Sequence, residues 1–165
     1  WQGAETFDEL EVPDDPYIIL SYHFYEPFLF THYLTSWNFT RDYTGPVRYP
    51  GTILTREEFE AAPEPLKEEL ERFAGEHFDK QVLLEMMEKP LRRAKELGLP
   101  LYCGEFGVFS AAPDDGTVQW YKDMLEIFEE QGVSWANWKY KSDQFGFVGF
   151  DGEKIELIHG SLALP

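Results

Sequence analysis

The sequence predicts an α/β fold in which parallel strands are joined by helical crossovers, and three observations predict it. Residues 17–25 (YIILSYHFY), 101–109 (LYCGEFGVF) and 133–140 (VSWANWKY) are β-branched and aromatic runs that read as buried strands. Apolar stripes at helical spacing lie between them. The resulting order is strand, loop and helices, strand, helix, strand, which implies right-handed crossovers between parallel strands. This alternation fits part of a barrel or part of a doubly wound sheet, and periodicity does not choose between them.

The first strand is bounded by the turn-like PDDP at 13–16 and by Pro27. Residues 26–54 carry Gly45, Pro46, Pro50 and Gly51 and read as a long irregular loop, a length that compact domains usually reserve for function. Thr55 opens a helix through a capping box, T-R-E-E, with Glu58 reaching back to the N-cap, and Pro63 and Pro65 interrupt or restart it. The next helix covers 79–97. Leu83, Met87, Leu91, Ala94 and Leu97 form its apolar stripe, Pro90 kinks it, and Gly98 and Pro100 stop it. After the second strand, APDDG reads as the loop into a helix over 117–131. Val118, Tyr121, Leu125 and Phe128 share one face of that helix, and Gly132 ends it. Beyond the third strand, Asp151-Gly152 reads as a turn.

One domain of 165 residues is long enough to bury its own core. Aromatic residues make up 17% of it, more than a core of this size usually needs, and sugar-binding clefts are one common place for the surplus. An aromatic-rich core is the other. The formal net charge of −17 argues against nucleic acid or an anionic membrane as partner, because neutralising phosphate takes a basic face. A neutral polysaccharide is compatible with it. A single cysteine, Cys103, excludes an internal disulfide and a cysteine-based zinc cage. His23 and His32 lie nine residues apart without a matching acidic set, so no metal site and no organic cofactor is expected. No stretch approaches the ~18 apolar residues of a membrane helix, and no signal peptide is recognisable. The sequence opens on Trp1 rather than Met, as a processed product or a piece of a longer chain does.

Unusual residues gather at the three strand ends. By strand alternation His23 and Tyr25 share a face with Ser21 and Ile19, Glu105 with Cys103 and Leu101, and Trp138 with Ala136 and Ser134. Small residues thus precede each large or polar end, as in a barrel whose catalytic groups gather at the C-terminal mouth. Glu105 is the most telling. A carboxylate in an apolar strand between Gly104 and Gly107 is costly unless paired or hydrogen-bonded, in a structural ion pair or a functional site. Taken singly, His23, Tyr25 and Trp138 read as packing residues.

Taken together, YHFYEPFLFTH (22–32), YCGEFGV (102–108) and WANWKY (135–140), with FGF after it, resemble the C-terminal part of glycoside hydrolase family 5, the cellulase-type endoglucanases. The resemblance covers nearly the whole chain and implies a partial, half TIM (β/α)8 barrel running from just after the fifth strand to the eighth. Trp1 and Gln2 would be the remnant of the loop after the fifth strand. By this resemblance Glu105 is the nucleophile, His23 and Tyr25 hydrogen-bond around it, and Trp138 is the platform under the sugar next to the scissile bond. Trp37 and Phe106 are the further substrate contacts expected. The activity implied is retaining hydrolysis of β-1,4-glucan, cellulose-like or mixed-linkage, with mannan and β-1,3-glucan as other possibilities, and the location implied is extracellular.

The chain departs from the family in one respect of substance. The acid/base is expected as the Glu of an Asn-Glu pair on the fourth strand, and no such pair exists in this sequence; the Arg of the second strand and the His before the acid/base are absent too. Three readings follow. A homodimer could join two partial sheets and bring Glu26, Asp143 or a second Glu105 near the nucleophile. A complementary half-barrel could complete the site instead. Alternatively, the chain is a non-catalytic glucan-binding or structural half-barrel that uses Trp138, Trp37 and Tyr25 for stacking.

Overall fold

Strand alternation and glycine placement set the architecture of the computed structural model, which describes residues 2–142 and 144–146. Trp1, Asp143 and the expected turn at Asp151-Gly152 lie outside the described residues.

Strands β1 (Leu20–Phe24), β4 (Leu101–Phe106) and β5 (Ser134–Asn137) form a parallel sheet in the order β1-β4-β5. On the free edge of β1, Gly3 makes a parallel bridge to His23, and the His23 N–H donates to the Gln2 carbonyl at 2.6 Å. Gln2 therefore flanks the sheet where a preceding strand would run. A second, antiparallel pair, β2 (Gly51–Thr52) with β3 (His77–Phe78), sits in the long connection after β1. This connection also holds a short helix α1 (Phe28–Thr31) and a 3-10 turn at Phe39–Asp42, so it is more ordered than the expected loop.

The capping box forms as the sequence predicts. Thr55 Oγ1 accepts from the Glu58 N–H at 3.2 Å and Glu58 Oε2 accepts from the Thr55 N–H at 2.9 Å, opening α2 (Arg56–Glu60). Helix α3 (Lys67–Leu70) follows Pro63 and Pro65. The helix expected over 79–97 is two, α4 (Lys80–Met86) and α5 (Glu88–Leu97), with Met87 between them out of helical geometry. Pro90 has no N–H to bond the carbonyl four residues back and its ring crowds that turn, so the break falls ahead of the proline. Gly98 closes α5 with a left-handed backbone, φ 65°. The last helix, α6 (Asp114–Gln131), starts earlier than expected, because Asp114 and Asp115 occupy its first turn, where the helix dipole favours carboxylates.

Helices cover one face of the sheet. Leu20, Tyr22 and Phe24 of β1 and Leu101, Cys103 and Phe106 of β4 are buried on that face, with Trp120, Tyr121, Met124, Ile127 and Phe128 of α6 in the same core. Fully burying side chains of this size contributes roughly 1.5–3 kcal/mol each. The opposite face is open: Ser21, His23, Tyr102 and Glu105 are partly exposed along it, and Ile19, of the same parity, is 63% exposed just ahead of β1. Among the described residues the parallel sheet carries helices on one face only, the arrangement of a barrel sector and not of a doubly wound sheet. No helix among the described residues is long and apolar enough to cross a membrane.

Candidate active site at the strand ends

The register of β1 and β4 brings two functional side chains level. Ser21 lies opposite Tyr102 and Tyr22 opposite Cys103, after which the register slips by one and His23 lies opposite Glu105. Gly104 is the extra residue of this bulge. The expected parity is therefore corrected: Leu101 and Cys103 face the helices, and Glu105 faces the open side with Tyr102. Cys103, expected as a small inward residue, is fully buried in the helix-side core. Glycine suits the bulge, because a Cβ at 104 would lie 3.0 Å from Ser21 Oγ and 3.4 Å from His23 Nε2 and those side chains would have to give.

Glu105 gathers two partners at one oxygen. The Tyr25 hydroxyl donates to Glu105 Oε2 at 3.0 Å, and His23 Nδ1 lies 3.4 Å from the same oxygen. Burial first, then the charge of Glu105 and this hydrogen bond, hold the Tyr25 hydroxyl far above the usual tyrosine range, so it remains a donor. The loop after β1 is tied down around it. Thr31 Oγ1 donates to the Tyr25 carbonyl, and Trp120 Nε1 donates to the Glu26 carbonyl at 2.9 Å.

A second glycine positions Trp138. A Cβ at Gly107 would come within 2.7 Å of the Trp138 carbonyl oxygen, and the Trp138 N–H donates to the Phe106 carbonyl at 2.9 Å. Tyr121 links the same two strand ends, donating to Asn137 Oδ1 at 3.0 Å and accepting from the Val108 N–H at 3.2 Å. Trp138 is 47% exposed, and the peptide bond that follows it is cis.

His23, Tyr25, Glu105 and Trp138 line one cleft of about 840 Å³, which also takes in Trp37, His32, Glu26, Arg72 and Phe145. Trp37 is half exposed, with its ring edge-on to Phe109 at 5.7 Å. Phe106 departs from the expectation of a sugar contact. It has no exposed surface and packs among Trp120, Tyr121, Phe128 and Trp135 at centroid distances of 5.0 to 6.0 Å, because the bulge places it on the helix side. A smaller groove of about 620 Å³ opens at the opposite ends of the strands, beside Gly98 and Leu101.

Two residues gain a place that sequence reasoning had not given them. His32 is buried against Tyr25 (5.0 Å, edge-on) and stacked on Phe28 (3.9 Å), and burial pushes its imidazole down to about 4. Glu26, weighed only as a substitute acid, lines the cleft with its carboxyl raised by burial, one oxygen accepting from the Phe28 N–H at 2.9 Å. Among the described residues no three His, Cys, Asp or Glu side chains gather as a metal site.

A family model described as Cellulase (glycosyl hydrolase family 5) matches residues 1–144. Endoglucanase C of Acetivibrio thermocellus is 30% identical over 162 residues, covering 96% of this chain and 47% of that protein. Cellodextrinase A of Ruminococcus flavefaciens is 26% identical over 132 residues, covering 80% of this chain and 32% of that protein. Among solved structures, a hyperthermophilic endo-β-1,4-glucanase in complex with substrate superposes with a TM-score of 0.68 at 27% identity, covering 99% of this chain and 45% of the other. Cel5A of Thermotoga maritima in complex with cellobiose gives 0.68 at 20% identity, covering 97% and 44%, a likeness of fold. The chain thus spans about half the length of curated relatives such as endoglucanase C, and it is a partial α/β barrel.

Proposed function

We propose, on the premise that this chain belongs to the cellulase family, glycosyl hydrolase family 5, that it is the nucleophile-bearing half of a retaining glycosidase acting on β-1,4-glucan. Glu105 attacks the anomeric carbon. Tyr25 and His23 hold its carboxylate at the strand end, and Trp138 and Trp37 offer exposed rings to the sugar. The observation that carries this reading is the meeting of Tyr25 and His23 at one Glu105 oxygen in an open cleft.

Retention needs a second carboxyl about 5–5.5 Å from the first, to protonate the leaving oxygen and then deprotonate water. A second half-barrel is the proposed source, either another copy of this chain or a complementary half packed on the open face. A polymeric glucan places the reaction outside the cell.

The nucleophile can be tested without the acid. A 2-deoxy-2-fluoro-β-cellobioside with a dinitrophenolate leaving group needs no protonation to depart, and its fluorine slows release of the glycosyl-enzyme. Mass spectrometry of digested protein should find one fluoroglycosyl group on the Glu105 peptide and none in Glu105→Gln. Failure to label the unmodified chain at millimolar reagent would sink the catalytic reading and favour a non-catalytic glucan-binding half-barrel.

A further inference from the structure

Arg72 stands apart from the chain's other arginines. Arg41, Arg48, Arg56, Arg92 and Arg93 each hold a carboxylate. The Arg72 guanidinium makes no hydrogen bond or ion pair among the described residues. In a chain of net charge −17 with 31 acidic residues, an arginine that takes no carboxylate is an exception with a local cause.

That cause is a stack of rings. The Arg72 guanidinium carbon lies 4.6 Å from the centre of the Phe73 ring and 5.9 Å from that of Phe28. Phe28 in turn stacks on His32 at 3.9 Å and on Phe39 at 6.1 Å, and Phe39 stacks on Phe73 at 6.4 Å. Two rings, Phe73 and Phe28, themselves packed on Phe39 and His32, therefore support the guanidinium at the wall of the cleft, and its planar set of N–H donors stays unspent. Glu26 lines the same wall. Its Oε2 accepts from Phe28, its Oε1 has no partner among the described residues, and Arg72 is near enough to draw its carboxyl down against the rise caused by burial. The two groups feel each other electrostatically without closing into an ion pair.

We propose that Arg72 and Glu26, which line the same cleft as Glu105 and Trp138, form a sugar subsite binding the hydroxyls of a neutral hexopyranose. A planar donor fork and a carboxyl acceptor across an open space suit the adjacent equatorial hydroxyls of a β-linked glucose unit. Stacking on Phe73 favours one orientation of this exposed arginine, so less side-chain freedom is lost on binding. Glu5, on the same wall, makes a uronate a poor occupant, since an anionic sugar would meet two carboxyls for one guanidinium. The proposal deepens the glycosidase reading and rests on it for the class of sugar.

Calorimetric titration of the Glu105→Gln chain with cellobiose through cellohexaose, with and without Arg72→Met, tests this. Arg72→Met should cut affinity for the longer oligomers by about tenfold or more, the usual worth of hydrogen bonds to a charged group, and leave cellobiose unchanged. Arg72→Lys, which keeps the charge and loses the fork, should fall between. Equal loss at every length, no loss, no binding of any oligomer, or tighter binding of a uronate-ended oligomer than of its neutral analogue would each overturn the proposal. Labelling of Glu105 by the fluoroglycoside without an Arg72 effect removes this subsite alone. An Arg72 effect without labelling removes the nucleophile and keeps the subsite.

Discussion

Tyr25, just past the end of β1, donates its hydroxyl to Glu105 Oε2 at 3.0 Å across the strand boundary, so two adjacent strands meet chemically at one oxygen. Thr31 and His32 hold the tyrosine from behind through its carbonyl and its ring. Tyr25→Phe keeps the ring packing and removes only the donor. The rate of Glu105 labelling by the fluoroglycoside should fall about 10- to 100-fold, the effect expected for loss of a hydrogen bond to a charged group. Near-ultraviolet circular dichroism should stay unchanged, and an unaltered labelling rate would remove Tyr25 from the site.

Gly107 is the second point at which the geometry is exacting. An added Cβ would press within 2.7 Å of the Trp138 carbonyl, a backbone atom that cannot swing aside. Gly107→Ala should destabilise the chain by about 1–3 kcal/mol, as overpacking does, and shift tryptophan fluorescence through displacement of Trp138. Chemical denaturation reads the first effect and emission spectra of the folded variant the second.

Acid stability should depend on His32. Its folded pKa of about 4 lies below the ordinary 6.5 because the ring is buried, so the unfolded chain binds the proton first. Stability from this group is complete above about pH 6.5 and is lost as pH falls toward 4, by up to about 3 kcal/mol. His32→Phe should flatten that segment of the stability–pH curve in urea titrations; an unchanged slope would show that His32 is not the group responsible.

Glu58 makes the opposite contribution further down the scale. The Arg48 guanidinium first, and then the Thr55 N–H, hold its carboxyl down at about 2. The stability it adds is present above the ordinary carboxylate value and lost as pH falls through the folded one. Glu58→Gln should cost up to about 1 kcal/mol at neutral pH, the range of a partly exposed ion pair, because a glutamine amide oxygen still accepts the Thr55 N–H and keeps the capping box. The difference from the unmodified chain should vanish toward pH 2, as measured by thermal melts across that range.

Local features of the fold were legible in the sequence, and those set by neighbours were not. The Thr55 capping box and the Gly98 and Gly132 helix ends depend on residues within one turn, and they form where expected. The parallel strands with helical crossovers followed from the order of patterns, and the barrel followed only from the resemblance carried by the strand-end motifs. The face of Glu105 did not, because alternation assumes an unbroken strand and the bulge at Gly104 is decided by β1 next door. The same slip carried Phe106 into the core. A glycine inside a strand was the available signal, since it marks a bulge or a close approach. His32 and Arg72 gave no sequence signal, because their surroundings come from Phe28, Phe39 and Phe73, which only the folded chain brings together.

Association is the remaining consequence of a half-barrel. Ile19 is 63% exposed and Tyr17 92% exposed on approach to β1, and no helix of the described residues covers the inner sheet face beyond them. Among the described residues the edge of β1 is covered only by Gln2 and Gly3, and exposed strand edges are ones that proteins normally cover. The chain should therefore sediment above its 19.3 kDa monomer mass at micromolar concentration, with the apparent mass rising with concentration. Ile19→Glu places a carboxylate on that face and should return the chain to a monomer while its circular dichroism is kept. A wild-type monomer across the whole range would exclude the homodimer, leaving the complementary half-barrel and the non-catalytic reading. An Ile19→Glu variant that still associates would move the interface off this face.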